Sequence, residues 1–137
     1  MNTEKIQEMI INHEGYRRHP YLCTAGKSTI GIGRNLTDKG ISREEAMYLL
    51  DNDIRECTAD LLAIFPGQFD SFPENVKMVL LDMRFQMGPG GFRLFKNMIA
   101  AVKKQDWPGM VVQMWNSKWY RQTNNRALEL IGMVESV

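Results

Sequence analysis

Glu14-Gly15-Tyr16-Arg17, followed by Tyr21-Leu22-Cys23 and then Ser28-Thr29-Ile30-Gly31-Ile32-Gly33, is the stretch whose reading decides the fold of this chain. Ahead of it, Ile6, Met9, Ile10 and His13 fall at the spacing of one helical face. Gly15 is placed to end that helix in left-handed backbone. Past it the pattern changes: Pro20 and Gly26 punctuate two short extended runs, which predict a small antiparallel hairpin. Gly31 and Gly33 weaken a free-standing strand and point to close backbone approach by a ligand or a neighbouring stretch of chain.

Further along, Ser42-Arg43-Glu44-Glu45 is a capping box. It predicts a long helix with Ala46, Leu49, Leu50, Ile54, Cys57 and Leu61 as its buried stripe, stopping near Phe65 before Pro66-Gly67. Beyond Pro73 everything reads helical. Glu74 to Met87 carries Val76, Val79, Leu80, Met83 and Met87, and Gly88-Pro89-Gly90-Gly91 reads as the turn that follows. Helices are expected over Phe92 to Lys104, Pro108 to Trp115 and Asn124 to Val134, the last capped by Thr123. Met78, Met83, Met87, Met98, Met110 and Met114 read mostly as core filler. Of Trp107, Trp115 and Trp119, at least two are expected in the core. The resulting class is α+β, mainly α. It is a single domain over 1–137, with a hairpin lobe (about 14–60) joined by a long helix to a helical lobe (1–13 plus 61–137).

Composition sets bounds on function. With 137 residues, 44% apolar and 24% charged, the chain is ordinary for a globular domain. It is large enough to fold without metal or disulfide. A net charge of +1 gives no argument for nucleic acid. Two cysteines, Cys23 and Cys57, are too few for a disulfide framework and suit a reducing compartment. Met1-Asn2-Thr3-Glu4-Lys5 does not open a basic-then-apolar signal, and no stretch reaches the apolar length of a membrane span. His13 and His19 lack a third ligand, so no zinc site is expected. The chain is expected to be a monomer that needs no cofactor.

Glu14 is the leading candidate for chemistry. A carboxylate near the negative end of a helix dipole is disfavoured as an anion. That suits a general acid, which must keep its proton until a leaving oxygen needs it. Glu14-Gly15 at a helix end, with Thr29-Ile30-Gly31-Ile32-Gly33 downstream, resembles the active-site region of the phage-type (T4-like) lysozymes, glycoside hydrolase family 24. Phe85-Gln86-Met87-Gly88, Trp119-Tyr120, Gln122-Thr123 and Asn125-Arg126 are similar to two helical-lobe motifs of that family, in the same order. The resemblance covers nearly the whole chain, with a shorter stretch between Leu36 and Ile41.

The resemblance implies an endolysin-type muramidase that hydrolyses the β-1,4 bond between N-acetylmuramic acid and N-acetylglucosamine of peptidoglycan. It would wait in the bacterial cytoplasm until released onto the wall. Glu14 falls on the general acid, Thr29 on the threonine that holds the attacking water, and Arg126 on the arginine paired with the catalytic glutamate. Phe85 and Gln86 fall in the sugar-contacting wall, and Gln113 where the family has a sugar-contacting asparagine. Arg34 and Asp53 are implied to face each other.

Cys23 is the departure. It stands where the family has its second acid, and glycoside hydrolysis usually uses two carboxylates. A thiol with an ordinary pKa of about 8.5 is mostly protonated at neutral pH unless its surroundings favour the thiolate. Arg17, Arg18 and Lys27 are close enough in sequence to do so. Cys23 as base, as nucleophile or as bystander all stay open. So do two alternatives to hydrolysis: a lytic transglycosylase working with Glu14 alone, and a peptidoglycan-binding protein without activity.

Overall fold

Asn2 starts the first helix by accepting the Lys5 N–H on its side-chain oxygen at 3.0 Å. The helix, α1 (Thr3–Glu14), runs until Gly15, whose φ of 72° and ψ of 175° cannot continue it. In this computed structural model every residue from Met1 to Val137 is described. The chain is 69% helical with one three-stranded antiparallel sheet, the mainly helical α+β class expected. Two units are distinguished by their internal contacts, Met1–Tyr48 and Leu49–Val137.

In the first unit the sheet has the order β1 (Arg17–Leu22), β2 (Ser28–Gly31), β3 (Arg34–Asn35). Arg17 pairs with Gly31 and Tyr21 with Thr29, so β1 bulges around Arg18-His19-Pro20, where proline has no N–H to offer a ladder. On its other side Thr29 pairs with Asn35. Asn35 then caps a one-turn helix, α2 (Leu36–Lys39), which the sequence reading did not anticipate. The Ser28 N–H donates to Thr37 Oγ1 at 2.8 Å and ties α2 to β2.

The capping box forms as read: the Glu45 N–H donates to Ser42 Oγ at 3.1 Å, and the Ser42 N–H to Glu45 Oε1 at 2.8 Å. It opens α3 (Arg43–Ile64), a 22-residue helix within which the boundary of the two units falls. Only the C-terminal part of the expected stripe, Cys57 and Leu61, is buried; Ala46 and Leu49 are exposed, Leu50 and Ile54 half-buried. Arg34, expected opposite Asp53, pairs with Glu45, Nη2 to Oε2 at 2.5 Å. That guanidinium, with the Ser42 N–H, holds the Glu45 carboxyl down to about 2. The same carboxylate thus completes the helix cap and anchors β3.

The second unit contains a 3-10 turn (Phe69–Ser71), α4 (Glu74–Arg93), α5 (Lys96–Lys103), α6 (Trp107–Trp115), α7 (Lys118–Thr123) and α8 (Asn125–Glu135). Gly88 breaks the helical path inside α4, yet Pro89 to Arg93 add one more helical turn, so α5 begins at Lys96 and not at Phe92. Thr123 does not cap α8. It closes α7, where its hydroxyl donates to the Trp119 carbonyl at 2.9 Å. Leu61, Phe65, Val76, Val79, Leu80, Met83, Phe92, Val102, Met110, Met114 and Ala127 are fully buried. Each large apolar side chain so buried is worth about 1.5–3 kcal/mol. Met78 is the methionine that departs from the core reading, half exposed at 52%. Trp119 is buried edge-on against Phe95, Trp107 packs on Phe72, and Trp115 lies at the surface beside Tyr120.

A charged pin crosses this core. Arg84, only 5% exposed, donates from Nε to Asp60 Oδ2 at 2.6 Å, and Arg93 grips both oxygens of the same carboxylate. Asp60 therefore joins α3 to both sides of the Gly88 break. The Arg93 and Arg84 guanidinium groups hold its carboxyl at about 2. A carboxyl lowered on folding stabilises at any pH above its unfolded value near 4 and loses that contribution as pH falls toward 2. Asp60→Ala, which leaves Arg84 charged and buried, should cost about 3 kcal/mol or more. Thermal unfolding across pH 2 to 7 should also show a flatter acid limb for Asp60→Asn than for the wild type. Equal acid sensitivity would remove Asp60 as its source.

Candidate active site

Three of the residues singled out by sequence fall in the first unit. Glu14 is the last residue of α1. Gly15 takes a φ/ψ combination essentially open to glycine alone and sends the chain sideways into β1. Because Arg17 pairs with Gly31, the end of α1 comes down beside the turn that joins β2 to β3. The Glu14 carboxyl lies directly over the backbone of Gly33. A Cβ built on that glycine would stand 2.7 Å from Glu14 Oε2 and 2.8 Å from its carboxyl carbon. The close approach foreseen at the two glycines is therefore made by Glu14, and at Gly33; a Cβ on Gly31 would meet open space.

Thr29, in the middle strand, is buried, with only 4% of its surface exposed. Its hydroxyl donates to the Lys27 carbonyl at 2.9 Å.

Cys23 starts the tight turn between β1 and β2, its N–H donating to the Lys27 carbonyl at 3.0 Å and its carbonyl accepting from Gly26 at 2.8 Å. This turn aims the backbone N–H groups of Lys27 and Ala25 at the sulfur. They hold the Cys23 thiol below its ordinary value, against the opposing effect of burial. The cause differs from the one expected. Lys27 reaches Asp38 at 3.3 Å, and Arg17 lies over the Tyr21 ring, 4.5 Å from its centre. Backbone dipoles, not basic side chains, favour the thiolate.

The remaining residues lie in the second unit. Phe85 and Arg126 line one groove of about 450 Å³ with Leu50, Ile54, Met78, Leu81 and Asp82. Arg126 donates from Nε to Asp82 Oδ1 at 2.7 Å, which leaves its terminal nitrogens free for a further carboxylate. Gln86 is the acceptor for the indole N–H of Trp119 at 2.9 Å, so its amide is oriented by a buried ring. Gln113 lies on a different concavity of about 340 Å³, with Phe95, Lys96, Asn97, Asn116 and Ser117. Sequence reasoning missed Asp82 as the partner of Arg126, and nothing local signals a pair 44 residues apart. No group of three or more His, Cys, Asp or Glu side chains stands close enough to hold a metal ion, and no helix is long and apolar enough to cross a membrane.

Glu14 thus ends a helix above a glycine turn, beside a small sheet that carries a buried threonine, and sequence similarity places the chain in a class of peptidoglycan-lytic enzymes. The sequence profile of that class, the phage lysozymes, matches residues 11–135, and the chain belongs to this family, whose enzymes act on peptidoglycan. It is 24% identical to a probable T4-type lysozyme 2 of Dictyostelium discoideum, over 98% of this chain and 95% of that one. It is 30% identical to the pre-baseplate central spike protein Gp5 of Enterobacteria phage T4, over 89% of this chain and 26% of the spike protein. To the peptidoglycan hydrolase gp36 of Pseudomonas phage phiKMV it is 44% identical, over 74% of this chain and 11% of the hydrolase.

The two thiols should react very differently. Cys57 is buried, and that burial pushes its thiol up, whereas Cys23 is partly exposed with its thiol lowered. Brief treatment of the native protein with iodoacetamide at pH 7 should carboxamidomethylate Cys23 and spare Cys57, as read by peptide mass. Labelling of Cys57 first would contradict the environments described.

Proposed function

We propose that the chain is a muramidase that hydrolyses the β-1,4 bond between N-acetylmuramic acid and N-acetylglucosamine, with Glu14 as its general acid. The observation that carries this reading is the Glu14 carboxyl held over Gly33 on the sheet that also bears Thr29 and Cys23. Glu14 gives its proton to the glycosidic oxygen as the bond from that oxygen to the anomeric carbon breaks. A water held by Thr29 bonds to the anomeric carbon on the opposite face and gives its proton to the Cys23 thiolate. Inversion follows, and proton exchange with solvent resets both groups. Positioned proton transfer of this kind contributes about 10²- to 10⁴-fold.

Phe85, Gln86 and Gln113 contact sugar, and Arg126 keeps the supporting role implied by the family resemblance. The ordered Gln86 amide is consistent with a fixed sugar contact. The enzyme works as a monomer without a cofactor, held in the bacterial cytoplasm until it is released onto the wall.

A second reading is favoured by one feature, the thiol at position 23 where a carboxylate would serve hydrolysis. A lytic transglycosylase needs only Glu14, because the sugar's own 6-hydroxyl attacks in place of water. The two differ in product. Hydrolysis leaves reducing muramic ends, and the transglycosylase leaves 1,6-anhydro ends lighter by one water.

Digestion of purified wall with mass analysis should give reducing ends with the wild type. Glu14→Gln should lose activity by about 10²-fold or more while unfolding at an unchanged temperature. Anhydro ends would select the second reading, and wild-type rates for Glu14→Gln would sink both. With Cys23 as base, Cys23→Asp should remain active and Cys23→Ala should be slowed at least about tenfold. Full activity of Cys23→Ala would make the thiol a bystander.

A further inference from the structure

Position 33 carries two separate demands. Its φ is +65°, a left-handed backbone that disfavours any L side chain. The same is true of Gly31, two residues earlier, at +68°. The two glycines differ in what a side chain would meet. At Gly31 a Cβ would find nothing within 4 Å, whereas at Gly33 it would meet Glu14 Oε2 at 2.7 Å, Cδ at 2.8 Å and Cγ at 3.0 Å. Ordinary contact begins at 3.4 Å, so the whole outer half of the Glu14 side chain would have to retreat by several tenths of an ångström.

That retreat is easy for the fold. Glu14 is exposed, and its carboxyl is the free end of a flexible side chain. It is not easy for catalysis, because a general acid works only within hydrogen-bond reach of the oxygen it protonates. Misplacement by about 1 Å can cost 10²-fold in rate. The absence of a side chain at position 33 therefore sets how low over the sheet the Glu14 carboxyl can lie.

We infer that Gly33 is a positioning residue for the acid catalyst, its bare Cα forming the floor on which the Glu14 carboxyl rests. The inference builds on the proposed role of Glu14 and adds that the turn between β2 and β3 aims it. Gly31 supplies a control with the same backbone demand and no contact with Glu14.

The experiment compares Gly33→Ala with Gly31→Ala in the full chain, using soluble uncrosslinked peptidoglycan strands, with Glu14→Gln alongside. Both alanine variants should lower the unfolding temperature by similar amounts, since both force alanine into left-handed backbone. Only Gly33→Ala should lower kcat, by about 10- to 100-fold with KM changed less than twofold. If alanine prevents folding at either position, Gly33→Asn and Gly31→Asn replace the pair, because asparagine tolerates this backbone better. Equal kcat for the position 31 and 33 variants, with Glu14→Gln inactive, would overturn the positioning role and leave Glu14 as the acid. An active Glu14→Gln would instead overturn the reading on which the role rests.

Discussion

Helix α1 has to stop at Glu14, and the chain has to leave it in a direction that only glycine permits. Gly15 meets that constraint with a φ of 72° and a ψ of 175°. The rest of the first unit follows from it. The turn starts β1 at Arg17, which pairs with Gly31, and the bulge that follows shifts the register of the rest of the strand. That register brings the turn between β2 and β3 under the Glu14 carboxyl and puts Thr29 opposite Tyr21, two residues ahead of Cys23. A longer α1, or an exit by any other residue, would carry the carboxyl off the sheet.

The second unit is organised differently. Its helices are held by a continuous apolar core that includes Phe92, but the helical path of α4 is broken at Gly88. The Asp60 carboxylate solves this by taking one arginine from each side of the break. Burying Arg84 is tolerable because its charge is paired with Asp60 and lies 4.0 Å from Glu56 Oε1, and a partner carboxylate of this kind has to be ionised. Gln86 and Phe85 lie on the same helix, so the features that hold α4 together also hold two of the residues proposed to meet sugar.

Two thiols in one small chain show how local backbone sets reactivity. Cys57 is surrounded by core, with Arg84 Nη1 3.6 Å from its sulfur, and burial dominates its protonation. Cys23 stands in a turn whose N–H groups converge on it. Those dipoles favour the anionic form of the group they face.

The sequence by itself determined the elements whose causes are local. The capping box at Ser42 and Glu45, the end of α1 at Gly15, the hairpin punctuated at Gly26 and the helical periodicity after Pro73 were all readable, because each depends on residues within a turn or two. It also marked Gly33 as a point of close approach without saying what approached. Tertiary structure alone decided the partners: Glu14 over Gly33, Arg34 on Glu45, Arg126 on Asp82, and Asp60 between Arg84 and Arg93. It also decided that backbone N–H groups, and not the nearby basic side chains, tune Cys23. Such pairings join residues up to 44 positions apart. They are fixed by strand register and helix packing, and no local pattern of residue types carries that information.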